Sequence, residues 1–318
     1  MIWKQNQPAL ATLREEPTYY DRPLIKEPVW VWSVPAYFYA GGAAGASLAL
    51  AAAAQLLNNS SGELATRCRR IGLAGVVLGS GLLIYDLGRP GRFFNMLRVF
   101  RPTSPMNVGS WVLAATGSLS ALAGLRRPGS KRLSDIAAIG AGIFGIPLSG
   151  YTGVLLANTA VPVWQEATRT LPALFIASGM ASAGALLHFM ELPPRDETIA
   201  RRFAIAGHAA ELVAMSALER EVSGVEQVGK PLREGFSGFL WKTARTLGAV
   251  SLALALLPTK SRRIKTAAGI CGTAAALSLR FSLLQAGRNS ARDPHASFQQ
   301  QHGREPHGLT EAPMQPAA

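Results

Sequence analysis

The distance between successive charged side chains constrains this chain more than any other feature. No charged residue occurs from Pro28 to Gly62, from Pro102 to Leu125, from Ile136 to Gln165 or from Thr170 to Met190. A helix needs roughly 20 predominantly apolar residues to cross about 30 Å of hydrocarbon, and each of these runs is long enough. They are also apolar or small around the whole helical wheel, whereas a helix of a soluble protein returns polar residues to its outer face every turn. Four weaker segments complete the pattern. They are Ile71 to Tyr85, extended by Leu87 and Gly88; Ala204 to Ala217, with His208 and Glu211; Phe239 to Leu257, with Lys242 and Arg245 near its start; and Thr266 to Ala286, with Arg280. The expectation is an all-α integral membrane protein of about eight transmembrane helices, over approximately 29–57, 70–88, 106–125, 133–157, 168–191, 200–219, 238–258 and 264–287. Residues 1–27 read as an extracytoplasmic arm, 28–287 as the transmembrane domain and 288–318 as a disordered tail. These polar ends, with the charged loops, explain a mean hydropathy of only +0.18.

A formal charge of +13 would suit nucleic acid if the 32 Lys and Arg residues shared one face. Instead they fall between the apolar segments, and no nucleic-acid partner is expected. The first, third, fifth and seventh connections hold Arg67, Arg69 and Arg70; Arg126, Arg127, Lys131 and Arg132; Arg195, Arg201 and Arg202; and Lys260, Arg262, Arg263 and Lys265. By the positive-inside rule these connections are cytoplasmic and both termini lie outside. The residues after Met1 lack the pattern of a cleavable signal, so the first span serves as its own insertion signal. Cys68, expected in a loop, and Cys271, expected in the last span, are the only cysteines. They form no CxxC, haem-attachment or iron–sulfur pattern, so redox chemistry here would need cofactors bound elsewhere.

Trp30, Trp32, Tyr37, Phe38 and Tyr39 at the start of the first span suit an interfacial aromatic belt, and a share of them can line a pocket. Gly41 and Gly45 form a GxxxG pair suited to close helix packing. The segment after the second span is more unusual. Asp86 stands at the membrane boundary with Arg89 one turn along, a spacing that permits an ion pair. Phe93, Phe94, Met96, Leu97 and Phe100 then alternate with Arg92, Arg98 and Arg101, which describes a short amphipathic helix on the membrane surface. Such a helix binds headgroups or offers a platform to an extrinsic partner.

The run DLGRPGRFFNMLRVFRPTSPMNVGSW, Asp86 to Trp111, closely resembles the signature loop of the NrfD/PsrC family, the membrane subunits of polysulfide-reductase-like complexes. Three further stretches agree: YYDRPLIKEPVWVW from Tyr19, SGYTGVLLANTAVPVW from Ser149 and LPALFIASGMASAG from Leu171. The resemblance runs from Tyr19 to Met190. It implies two four-helix bundles in a prokaryotic inner membrane, with no metal or haem in this chain. It further implies a quinone, menaquinone or ubiquinone, bound near the outer face. Electrons would be exchanged with an extrinsic four-cluster ferredoxin-like iron–sulfur subunit that serves a molybdopterin catalytic subunit, and this chain alone would catalyse nothing. Tyr151 sits where the family places a tyrosine that hydrogen-bonds the quinone. Some relatives add Asn or His from the first span; here Tyr37, Ser33 and Trp32 are the polar residues available, with Asp86 and Arg89 at the boundary. Arg92, Phe93, Arg98, Arg101, Ser104 and Trp111 are the expected docking residues.

A second constellation falls towards the opposite face. His188 and Glu191 are spaced i, i+3, and so are His208 and Glu211. Ionisable groups within spans usually face the bundle interior, which makes these four, with Arg202, a candidate proton path. A structural salt bridge from Glu211 to Arg201, Arg202 or Arg280 competes with that reading. A proton-coupled transporter built on His208 and Glu211, or a haem b subunit ligated by His188 and His208, are the alternative functions.

Overall fold

A computed structural model describes residues 25–57, 62–89, 91–124, 131–259 and 261–296. Among these there is no strand. Eight long helices build the molecule: α1 (Ser33–Leu57), α2 (Gly62–Leu87), α4 (Pro105–Gly124), α5 (Lys131–Ala157), α7 (Thr170–Leu187), α8 (Pro194–Val222), α10 (Gly235–Leu256) and α11 (Arg262–Arg292). Three short ones, α3 (Gly91–Arg98), α6 (Pro162–Glu166) and α9 (Glu226–Arg233), join long helices on one face. By length and composition α1, α2, α5, α7 and α11 are each able to cross a membrane. α4, α8 and α10 pack alongside them.

The helices form two groups of four. α1, α2, α4 and α5 pack together, as do α7, α8, α10 and α11, and the groups meet where α1 and α5 lie against α7 and where α1 touches α11. In a bilayer no hydrophobic effect drives helices together, so close backbone approach must. Gly45 and Gly145 bring α1 onto α5 so tightly that a Cβ on Gly145 would lie 2.5 Å from the Gly45 carbonyl oxygen. Gly207 does the same between α8 and α7, where its Cβ would meet Ala181 N at 2.5 Å.

Helix ends differ from the charge-based expectation in two places. α2 begins at Gly62, so Arg67, Cys68, Arg69 and Arg70 lie within its first turns rather than in a loop, and Cys68 is fully buried. Helix can start this early because the Asp196 carboxylate accepts from Leu64 N–H at 2.9 Å, neutralising an otherwise unmatched donor at the positive end of α2. At the other terminus α11 runs on to Arg292, into residues expected to be disordered. There Arg292 and Arg288 pair with Glu27 at 2.9 and 3.8 Å, and Arg288 also donates to the Trp30 carbonyl. The rest of the expected arm, 1–24, and of the tail, 297–318, lie outside the described residues.

Candidate functional site

On the face that carries α3, the ends of α1, α2, α4 and α5 enclose a cavity of about 150 Å³. Its walls are largely apolar: Trp30, Val34, Phe38, Leu83, Phe93 and Met96 among them. Four polar side chains reach it, Tyr37, Tyr151, Asp86 and Ser110, the last with its hydroxyl donated to the Met106 carbonyl at 2.9 Å. The site therefore has the make-up of a small-molecule pocket, an apolar body with a few fixed polar groups.

Tyr37 on α1 and Tyr151 on the neighbouring α5 meet at the cavity, and their hydroxyls hydrogen-bond each other. Their rings lie 6.5 Å apart at 59°. Glycines on the facing helices make the room. A Cβ on Gly79 of α2 would stand 3.0 Å from the Tyr37 ring, and one on Gly109 of α4 would run into the Tyr151 ring. Pro147, inside α5 one turn before Tyr151, withholds a backbone N–H from the helical ladder, a local cause of bending next to the site. Above the tyrosines, Trp30 stacks on Trp164 at 5.8 Å and meets Phe38 edge-on at 6.4 Å. Trp164 is in turn anchored by its indole N–H, which donates to the Leu283 carbonyl of α11 at 2.9 Å.

Asp86 is held by α1 rather than by Arg89. Its Oδ1 accepts from Ser33 Oγ at 3.3 Å and from Val31 N–H at 3.4 Å, at the positive end of α1. The expected ion pair with Arg89 does not form: α2 ends in the left-handed turn of Gly88 (φ 66°), which carries Arg89 out to solvent. Trp32 is also displaced from its expected role. It is 57% exposed and packs on Tyr85, outside the cavity, because the turn that opens α1 sends Trp30 inward and Trp32 outward.

α3 divides its side chains as an amphipathic helix must. Phe93 and Met96 line the cavity, so Phe93 belongs to the pocket wall, while Arg92 and Arg98 are exposed, as is Arg101 in the connection that follows. Ser104 is half-buried and caps α4, accepting from Asn107 N–H at 3.4 Å. Trp111, 39% exposed, meets Phe100 edge-on. Asn107 ties the loop to α3 through bonds to the Met96 and Val99 carbonyls at 2.7 and 3.0 Å. A family model for polysulphide reductase NrfD matches residues 23–291, most of the chain and all of the helices just described.

The chain belongs to the NrfD family.

It is thus a multi-pass membrane subunit of the kind that partners with oxidoreductase subunits. No curated protein and no solved structure matches it. The match extends past Met190, where the resemblance in the sequence strings ends, so the second helix group is part of the same family unit.

That second group of this NrfD-family chain carries the other candidate residues and encloses two of them. His208 and Glu211 share one face of α8 and are 0% and 2% exposed. Ser251 Oγ lies 2.9 Å from His208 Nε2 and also 2.9 Å from the Ala268 carbonyl. The carbonyl accepts only, so the hydroxyl donates to it and accepts from Nε2–H. The Nδ1 side then faces Glu211 Oε2 at 3.6 Å. With Nε2 already protonated, attraction across that gap requires one further proton, on Nδ1 or on the carboxyl group.

The salt bridge that spacing offered Glu211 with Arg201, Arg202 or Arg280 does not form among the described residues, although Arg280 on α11 comes near enough to interact with Glu211 through its charge. Arg280 is fully buried, with its guanidinium 3.9 Å above the Phe175 ring and one donor on the Phe175 carbonyl at 3.3 Å. Arg202 is instead exposed, and its position nine residues before Glu211 puts it about 13 Å away along the helix axis. Glu191 is exposed and lies beyond the end of α7, so it shares no helix face with His188. His188 itself borders a small cavity of about 30 Å³ together with the Glu197–Lys265 ion pair at the opposite face of the molecule.

Proposed function

We propose that this chain is the quinone-reactive subunit of a redox complex and that the Tyr37–Tyr151 cavity receives the quinone ring. One observation carries the reading: two phenol hydroxyls and a carboxylate converge on an aromatic-walled cavity at the membrane boundary. A quinone ring needs apolar faces around it and donors at its carbonyl oxygens, and a phenol supplies both ring and donor. Conversion between quinone and quinol moves two electrons and two protons. Tyr151 and Tyr37 hold the proton end of the exchange at the carbonyl oxygen, and Asp86 supplies a carboxylate able to take up or release a proton at the rim. The electrons pass to an extrinsic four-cluster iron–sulfur subunit, docked over Arg92, Arg98 and Arg101 and the apolar Phe94, Phe100 and Trp111. That partner relays them to a molybdopterin catalytic subunit.

Tyr151→Phe tests this. It keeps the ring against Gly109 and removes the hydroxyl, so quinol turnover by the assembled complex should fall about 100-fold, within the range for loss of one positioned proton-transfer group. Complex yield should be unchanged, and wild-type turnover would reject the assignment.

The His208–Glu211–Arg280 cluster favours a second reading, proton movement through the second helix group, with His188 linking it to the Glu197–Lys265 face. As part of a redox complex this is a proton path to or from the membrane interior; without a redox partner it is a proton-coupled transporter. Proton uptake by vesicles containing this chain alone separates the two, since only a transporter moves protons without quinone. A haem between His188 and His208 fits poorly: Ser251 occupies Nε2 of His208, and α7 and α8 approach too closely at Gly184 and Gly207 to admit a porphyrin.

A further inference from the structure

Away from both clusters, the first turns of α2 and the last turns of α4 separate around a groove of about 270 Å³ on the face opposite the quinone cavity. Thr66, Arg69, Arg70 and Leu73 of α2 line one side at helical spacing, and Ser120, Ala123 and Gly124 of α4 line the other. Three features set this groove apart from an ordinary charged surface. The Arg69 guanidinium is oriented by the Gln55 side-chain oxygen, and Gln55 is itself tied to the Asp135 carbonyl at 3.3 Å, so α1, α2 and α5 together fix the charge at the groove. Ser120 is only 5% exposed, yet its hydroxyl, on the groove wall, has no hydrogen-bond partner. No carboxylate lines the groove among the described residues, since Glu63 turns to Arg67 at 2.7 Å.

We propose that this groove binds the phosphate of an anionic phospholipid, with one acyl chain lying along α2. Two guanidinium groups and a buried hydroxyl form a donor set suited to a phosphodiester, and guanidinium forks match phosphate oxygens in pairs. The apolar side runs from Leu73 towards Val77 and Leu78, which are 64% and 59% exposed where α2 faces the bilayer. A free phosphate would use the arginines and leave this strip bare; a phospholipid uses both. Basic pockets between helices at the headgroup level are suited to anionic lipid in this way.

The test is native mass spectrometry of the full-length protein in neutral detergent, titrated with phosphatidylglycerol, phosphatidylcholine or inorganic phosphate. Wild type should retain phosphatidylglycerol in preference to phosphatidylcholine. The preference should fall roughly fivefold in Arg70→Gln, the usual contribution of one basic group near a lipid surface. It should fall further in Arg69→Gln/Arg70→Gln. Ser120→Ala should weaken retention while leaving helix packing alone. Arg70 is exposed and has no part in the Gln55 link, so its variant tests the site even if loss of Arg69 disturbs folding. Equal retention of the two lipids by wild type, or an unchanged preference in Arg70→Gln, overturns the proposal. Displacement of phosphatidylglycerol by an equal concentration of inorganic phosphate also overturns it, and assigns the groove to the free ion.

Discussion

The two polar clusters, the tyrosine cavity in the first helix group and the His208–Glu211–Arg280 cluster in the second, treat their side chains in opposite ways. In the first, the polar residues of the cavity satisfy one another: Tyr37 bonds Tyr151, and Asp86 is met by Ser33 and the start of α1. In the second, Glu211 Oε1, His208 Nδ1 and Arg280 Nε and Nη1 are buried without a hydrogen-bond partner. An unmet polar group deep in a bilayer costs several kcal/mol, so a fold keeps such groups where they have a task or where water reaches them. The first arrangement resembles a preorganised binding site, and the second a place where charge changes.

The largest effect that can break this contrast is at Arg280. Arg280→Leu removes the buried cation that acts on Glu211 across the cluster, and leaving a buried charge uncompensated costs up to about 3–5 kcal/mol. The Tm of the purified chain should drop sharply, and adding Glu211→Gln should restore much of it. If Arg280→Leu alone is neutral, the cluster holds no net charge interaction and the contrast collapses.

A smaller loss is expected in the first group from Gly109→Val, whose side chain would enter the space of the Tyr151 ring. Overpacking of this kind costs about 1–3 kcal/mol. Because it moves the ring, quinol turnover should fall with stability, unlike the turnover-only effect of Tyr151→Phe. Retention of full turnover would mean that ring position is immaterial to the site. On the outer surface of the same group, Arg92→Glu/Arg98→Glu should weaken the iron–sulfur partner about tenfold through lost charge complementarity, measured by copurification at graded salt concentrations. An undisturbed complex would remove the docking face from α3.

The helical, membrane-embedded class was legible because charge-free runs are long and bilayer thickness is fixed. The local string around Tyr151 and the place of Asp86 at a span boundary singled out two residues that the fold does bring to one cavity. Trp32, Arg89, Arg202 and Glu191 misled for one reason: short-range spacing shows which residues are close in sequence but not which way a turn sends them. The φ of Gly88 redirects Arg89, and the end of α7 at Leu187 removes Glu191 from the helix face it was expected to share. Arg280 was the hardest to place because its partners, Phe175 and Glu211, come from helices far from it in sequence. Gly79 and Gly109 had a signal, small residues within spans, but nothing in the sequence pairs them with particular tyrosines.

The subtlest effect is expected from Ser251→Ala. Ser251 accepts from His208 Nε2 and donates to the Ala268 carbonyl, and through that pair of bonds it fixes which imidazole nitrogen faces Glu211. Its removal should cost only about 1 kcal/mol of stability, the usual net worth of a hydrogen bond. The chemical consequence differs in kind. With Nε2 no longer pinned, neutral His208 can place its proton on Nδ1 and donate directly to the carboxylate, so the pair no longer needs an extra proton to attract. The pH profile of proton-coupled turnover should therefore shift, while Ser251→Thr, which keeps the hydroxyl, should hold the wild-type profile. A profile unchanged in Ser251→Ala, with stability lowered as expected, would leave Ser251 a packing residue and count against a proton path through His208 and Glu211.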